Sequence, residues 1–147
     1  DRNMFKGVPK SILTISLLGL IPFFIGAVLS FKLNILTQEK SDLLLKASLQ
    51  YSAFILCFMS GCAFFSCLNE IEKSRYLWLS IIPVILSLFA LSFPFLTGFI
   101  LALGFLYILE IERKLFKAQI MPFWWISLRM PMTILVLICL IIMGFNV

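Results

Sequence analysis

The chain has 147 residues, 62% of them hydrophobic and 13% charged, with a formal net charge of +5 and no histidine. A soluble domain of this size carries about 45–50% apolar and about 25% charged residues, so a globule surrounded by water is excluded and lipid is the solvent for much of the surface. Nucleic acid is not the partner that the positive balance implies, because Lys and Arg fall in short connectors and at helix ends rather than on one basic face; the lack of histidine removes the commonest metal ligand and general base near neutral pH.

A bilayer core about 30 Å thick needs roughly 20 apolar residues as helix. The chain opens on Asp1 rather than Met, which points to processing or trimming. The first apolar run, 11–31, is too long for a signal-peptide core of about 7–15 residues and lacks an A-x-A exit, so it reads as a permanent span. The polar connector "KLNILTQEKSD" comes next, with Ser41 or Asp42 as a candidate cap. A second span covers 46–68, and the link "NEIEKSR" closes it. Residues 76–109 carry no charge; as one helix they would reach about 51 Å, too long for the membrane. Pro94 disfavours helix at Phe93, and Gly98 loosens the helix beyond it. The run therefore divides into a hairpin, with spans at about 75–92 and 95–112. A fifth span covers about 122–145. The expected fold is an all-α, five-span transmembrane bundle forming a single domain.

Lys and Arg set the orientation of such a bundle. The N-terminus, the 69–75 link and the 110–121 link hold eight of them; the 32–46 connector holds three, and the hairpin tip and C-terminus none. The N-terminus is expected on the cytoplasmic or matrix side and the C-terminus opposite.

Arg129 is the residue that most needs an explanation. It sits in "FWWISLRMPMT", near the start of the fifth span, flanked by apolar, aromatic and small hydroxyl residues. A charge at the bilayer centre costs about 2.5–3.5 kcal/mol on insertion scales, but a long side chain near a helix end can reach the headgroups. Trp124 and Trp125 suit the same depth. Arg129, Trp124, Trp125 and Glu110 are therefore the candidate lipid- or partner-binding residues, with Glu110 the expected internal partner of Arg129, and Glu112 also on that side. Pro22, Pro83 and Pro131 are expected kinks. They free the carbonyls of Leu18, Leu79 and Ser127, which neighbours must satisfy. Gly26-xxx-Ser30 and Gly98-xxx-Ala102 are small-residue pairs that allow close helix approach, and Gly19 and Gly26 mark one packing stripe. Cys57, Cys62 and Cys67 are five apart, so successive thiols diverge by about 140° on a helix; with Cys139 they form no metal or redox motif. No internal repeat, phosphate loop or nucleophile motif is visible, and no cofactor is expected.

The segments "GLIPFF", "YSAFILCFMSG", "WLSIIPVILS", "GFLYILEIERK", "PFWWISLR" and "TILVLICLI" together resemble the transmembrane protein 69 family, the domain of unknown function 3429, over nearly the whole chain. Pro22, Gly61, Pro83, Gly104, Trp124 and Arg129 stand at matching positions. The chain departs from the pattern at Ala63 and Phe64, where many relatives carry a His-Trp pair. The resemblance implies a fold and an inner-membrane address, mitochondrial or bacterial, rather than a reaction. The expected function is a non-catalytic accessory or assembly subunit of a larger, respiratory membrane complex. Its partners would be other membrane subunits and lipids, including anionic lipid such as cardiolipin. The alternative is a small oligomeric carrier or channel; a membrane enzyme is disfavoured, since the spans hold no paired acids.

Overall fold

Where water is absent, backbone N–H and C=O groups must be satisfied within their own segment, so each apolar block folds as helix. The computed structural model describes residues 7–31, 38–68, 74–93 and 95–146. Among these, the helices are α1 (Lys10–Gly19), α2 (Ile21–Ser30), α3 (Gln38–Ser66), α4 (Ser74–Ser92), α5 (Thr97–Lys117) and α6 (Trp125–Asn146), with no strand. Among the described residues, four rods are long and apolar enough to cross a membrane: Lys10–Ser30, which joins α1 to α2, and Glu39–Ser66, Arg75–Ser92 and Trp125–Phe145. The remaining helix, α5, is 21 residues long. Its last eight residues include Glu110, Glu112, Arg113, Lys114 and Lys117, so its apolar stretch is shorter than the others.

Two expected boundaries move. α3 starts at Gln38, so Ser41 and Asp42 lie inside it rather than capping it. Gln, Glu, Lys and Leu are all good helix formers, and Glu39 in the first turn suits the positive helix end. The first span is not one helix but two, meeting at Leu20. Pro22 then stands in the opening turn of α2, where its missing N–H costs nothing. The expected break at Pro94 lies outside the described residues; α4 ends at Ser92 and α5 starts at Thr97.

The helices close into a ring. α2 packs on α3, α3 on α4, α4 on α5, α5 on α6, and α6 returns to α2, while α3 and α5 also touch across the centre. Consecutive rods are antiparallel. Tyr51 meets Gly19 while Ser48 meets Gly26; Glu112 meets Arg129 while Gly98 meets Gly144. With an odd number of rods the closing pair, α2 and α6, runs parallel. Leu56, Leu101, Phe105, Ile108, Leu115 and Leu140 fill the centre.

Small residues set the close approaches. A Cβ on Gly98 would stand 2.7 Å from the Leu140 carbonyl and 3.0 Å from the Gly144 backbone. Gly98 thus serves backbone-to-backbone packing rather than loosening the helix. A Cβ on Gly26 would meet Met143 at 2.6 Å and Ser48 at 2.7 Å. Ser30 and Ala102, the other halves of the two small-residue pairs, are buried. Gly104 lies against Leu56, whereas Gly61 faces open space.

The backbone breaks are latched by tyrosines. Pro83 lies inside α4 and cannot donate to the Leu79 carbonyl. Tyr107 of α5 donates its hydroxyl to that carbonyl at 2.9 Å. At the α1–α2 junction, Tyr51 of α3 donates to the Gly19 carbonyl at 3.0 Å. Ser60 donates to the Ser80 carbonyl and so ties α3 to α4. Pro131 lies inside α6.

Candidate functional site

The C-terminal end of α5 turns the chain sharply enough to fold α6 back on it. Ile120 N–H bonds the Leu115 carbonyl and Gln119 N–H the Phe116 carbonyl, both at 3.0 Å. Gln119 adopts φ 63°, the left-handed conformation that this helix stop requires. The turn brings Trp125 and Arg129, one helical turn apart on α6, onto the face of α5 that holds Glu112.

Glu112 is 1% exposed. One of its oxygens, Oε2, accepts from Arg129 Nε at 2.7 Å and from Trp125 Nε1 at 3.0 Å. Desolvating a lone carboxylate costs several kcal/mol; here two donors and an opposite charge offset it. Arg129 is itself only 11% exposed along its side chain. Its charge is neutralised within the chain.

The expected pairing of Arg129 with Glu110 is therefore corrected. Glu110 bonds Arg113 at 2.7 Å on the outer face, with both side chains about half exposed. The reason is helical phase: residues 110 and 112 are about 200° apart, so one acid points out when the other points in. Glu112 carries its own sequence signal, for Leu101, Phe105, Ile108, Glu112 and Leu115 keep a 4-3-4-3 spacing that marks one helix face. Four are core residues, and the fifth is the acid. Trp125 turns its N–H inward to that acid. Trp124 is half-buried, stacks obliquely on Trp125 at 5.7 Å between ring centroids and lies against Gly7.

A cavity of about 230 Å³ adjoins the pair, between α1, α3 and the first turns of α6. Its lining is mostly apolar, including Phe23, Tyr51, Phe58 and Phe105, with Arg129 and Thr133 as its polar corner. Among the described residues, no group of three or more His, Cys, Asp or Glu side chains could hold a metal. Cys57 and Cys62 are partly exposed, while Cys67 and Cys139 are buried.

A family model, described as a protein of unknown function (DUF3429), matches residues 8–145. The chain belongs to the DUF3429 family. That match runs from just before α1 to the last turn of α6, so Glu112, Trp125 and Arg129 all fall within the DUF3429 region. No curated protein and no solved structure matches the chain.

Proposed function

We propose that this DUF3429 protein is a five-span, non-catalytic accessory or assembly subunit of a larger inner-membrane complex, respiratory in character and mitochondrial or bacterial in origin. The observation that carries this reading is that the carbonyls at two backbone breaks and the Arg129 charge are held by partners inside the chain. Tyr107 holds the carbonyl freed by Pro83, Tyr51 holds the carbonyl at the α1–α2 junction, and Glu112 holds Arg129. A carrier that used these kinks as hinges would have to break those bonds in each cycle. A scaffold keeps them and presents its outer apolar faces, such as Trp78, Leu88 and Phe89 on α4, to neighbouring helices and lipid. α5 completes the fifth span, its charged end standing at the same end of the bundle as the N-terminal segment that Gly7 packs on Phe123. That basic end faces the matrix or cytoplasm. Exposed Lys114 and Lys117 there suit anionic lipid such as cardiolipin.

Two measurements test the reading. Native electrophoresis of membranes solubilised in mild detergent should find the chain co-migrating with a complex several times its own 16.8 kDa that contains other subunits. A discrete homo-oligomer that supports solute flux in vesicles would favour the carrier instead. Cysteines introduced at positions 3 and 146 should label from opposite sides; labelling from one side would reject five spans.

A further inference from the structure

Arg129 and Thr133 line the cavity, and each carries one buried atom without a hydrogen-bond partner, Nη2 and Oγ1 respectively. Thr133 is 1% exposed. Its condition differs from that of six other helical hydroxyls. Thr14, Ser52, Ser66, Ser80, Ser87 and Ser92 each donate to the carbonyl four residues earlier, the ordinary resort of a helical hydroxyl. Thr133 does not. Arg129 and Thr133 are four apart on α6 and thus share one face, and both line the same cavity. Buried donors without acceptors are rare and call for a specific explanation.

We infer that this cavity binds a neutral, lipid-soluble molecule through a carbonyl oxygen that accepts from Arg129 Nη2 and the Thr133 hydroxyl once these two side chains, whose unpaired atoms lie beneath the cavity wall, turn toward it. The charge count selects neutrality. Glu112 already balances Arg129, so a second anion would leave a net negative charge in an apolar surround, whereas a carbonyl supplies an acceptor and no charge. The lining selects an apolar body, with Phe23, Phe58 and Phe105 among its walls. The volume is several times a water's share of the liquid, about 30 Å³. Access is lateral, since the lining residues Ile15 of α1 and Phe58 of α3 are 68% and 66% exposed on the outer surface of the bundle. α1 contributes no buried residue, and so leaves this side of the ring open. The carbonyl chemistry is shared by the acyl ester of a phospholipid and the ring of a quinone.

The test uses the full chain purified in an alkyl maltoside, with three probes: dioleoyl phosphatidylcholine, its dialkyl-ether analogue and a decyl-benzoquinone. Retained probe per chain is read by native mass spectrometry. One equivalent of the ester lipid or of the benzoquinone should be held, and the retained species assigns the source. The ether lipid, which lacks the carbonyl, should be held about tenfold less. Thr133→Val should cut retention several-fold while the melting temperature stays level or rises, because it removes an unpaired buried hydroxyl; Thr133→Ser should retain the probe. Ester and ether lipids held alike with no benzoquinone bound, unchanged retention in Thr133→Val, or no probe retained would each overturn the inference. It stands independently of the subunit reading.

Discussion

The α5–α6 hairpin, with its charged turn, and the more uniformly apolar first rod are held in opposite ways. The hairpin is clamped at both ends. At one end Gly98 lets the backbones of α5 and α6 meet at Leu140 and Gly144; at the other, Glu112 binds Trp125 and Arg129. The first rod is clamped over one half only. α2 buries Phe23, Gly26, Ala27 and Ser30, while α1, of the same length, has no fully buried residue and only packs Ile12 and Leu13 part-buried against the core. The contrast comes from the solvent. Lipid tails are as apolar as Leu, so hydrophobicity does not drive helices together there; small residues and polar links do. α2 has Gly26 on α3 and α6, and the rod has the Tyr51 latch at its waist. Beyond that latch on its last residue, Gly19, α1 lacks such a device, and it borders the open cavity.

Removing the ion pair one member at a time should break the hairpin clamp most severely. Glu112→Leu strands Arg129, and Arg129→Leu strands a carboxylate that is 1% exposed; each should cost about 3–5 kcal/mol, read by unfolding in mixed micelles. The double variant Glu112→Leu/Arg129→Leu should recover most of the loss, because two well-packed apolar residues can replace a buried pair. Arg129→Lys should be milder than Arg129→Leu, keeping the charge but losing the Nε donor. If all four variants unfold together with the wild type, the pair does not hold the hairpin.

The other end of the clamp should respond next. Gly98→Ala forces a methyl against the α6 backbone, for about 1–3 kcal/mol of overpacking. Gly61→Ala is the control: it meets nothing within 4 Å and should be stabilising by about 0.5–1 kcal/mol, the usual helix preference of Ala over Gly. Equal effects at the two sites would remove the close-approach argument.

The latches should be weaker still. Tyr107→Phe and Tyr51→Phe each leave a carbonyl unserved and should cost about 1 kcal/mol. Hydrogen exchange sharpens the comparison between regions: Tyr51→Phe should speed exchange around residues 19–24 and leave α5–α6 unchanged. The smallest effects belong to the hairpin's turn and outer face. Gln119→Gly relieves the left-handed strain of about 1–2 kcal/mol at the expense of unfolded-state entropy, for a slight net gain in melting temperature. Glu110→Gln removes an exposed i,i+3 bridge and should leave the melting temperature unaltered; a loss matching that of Glu112→Leu would mean the two acids have been assigned to the wrong faces.

The sequence by itself determined the membrane class, the apolar helices and the singularity of Arg129, because bilayer thickness and the need to satisfy the backbone locally act on each segment alone. It also marked Gly26, Gly98 and Pro83 as positions where backbones would approach or be freed. What it left open was which partner each would meet. Glu110 and Glu112 are both within reach of Arg129 along the chain; the 4-3-4-3 spacing put Glu112 on the apolar face of α5, and only the packing of α5 on α6 decided that this face meets Arg129. Tyr107 and Tyr51 look like ordinary aromatic residues until α5 and α3 bring their hydroxyls to Leu79 and Gly19. The unpaired hydroxyl of Thr133 and the cavity beside it exist only once α1, α3 and α6 stand together. Neighbour choice depends on several helices at once, and no single segment encodes it.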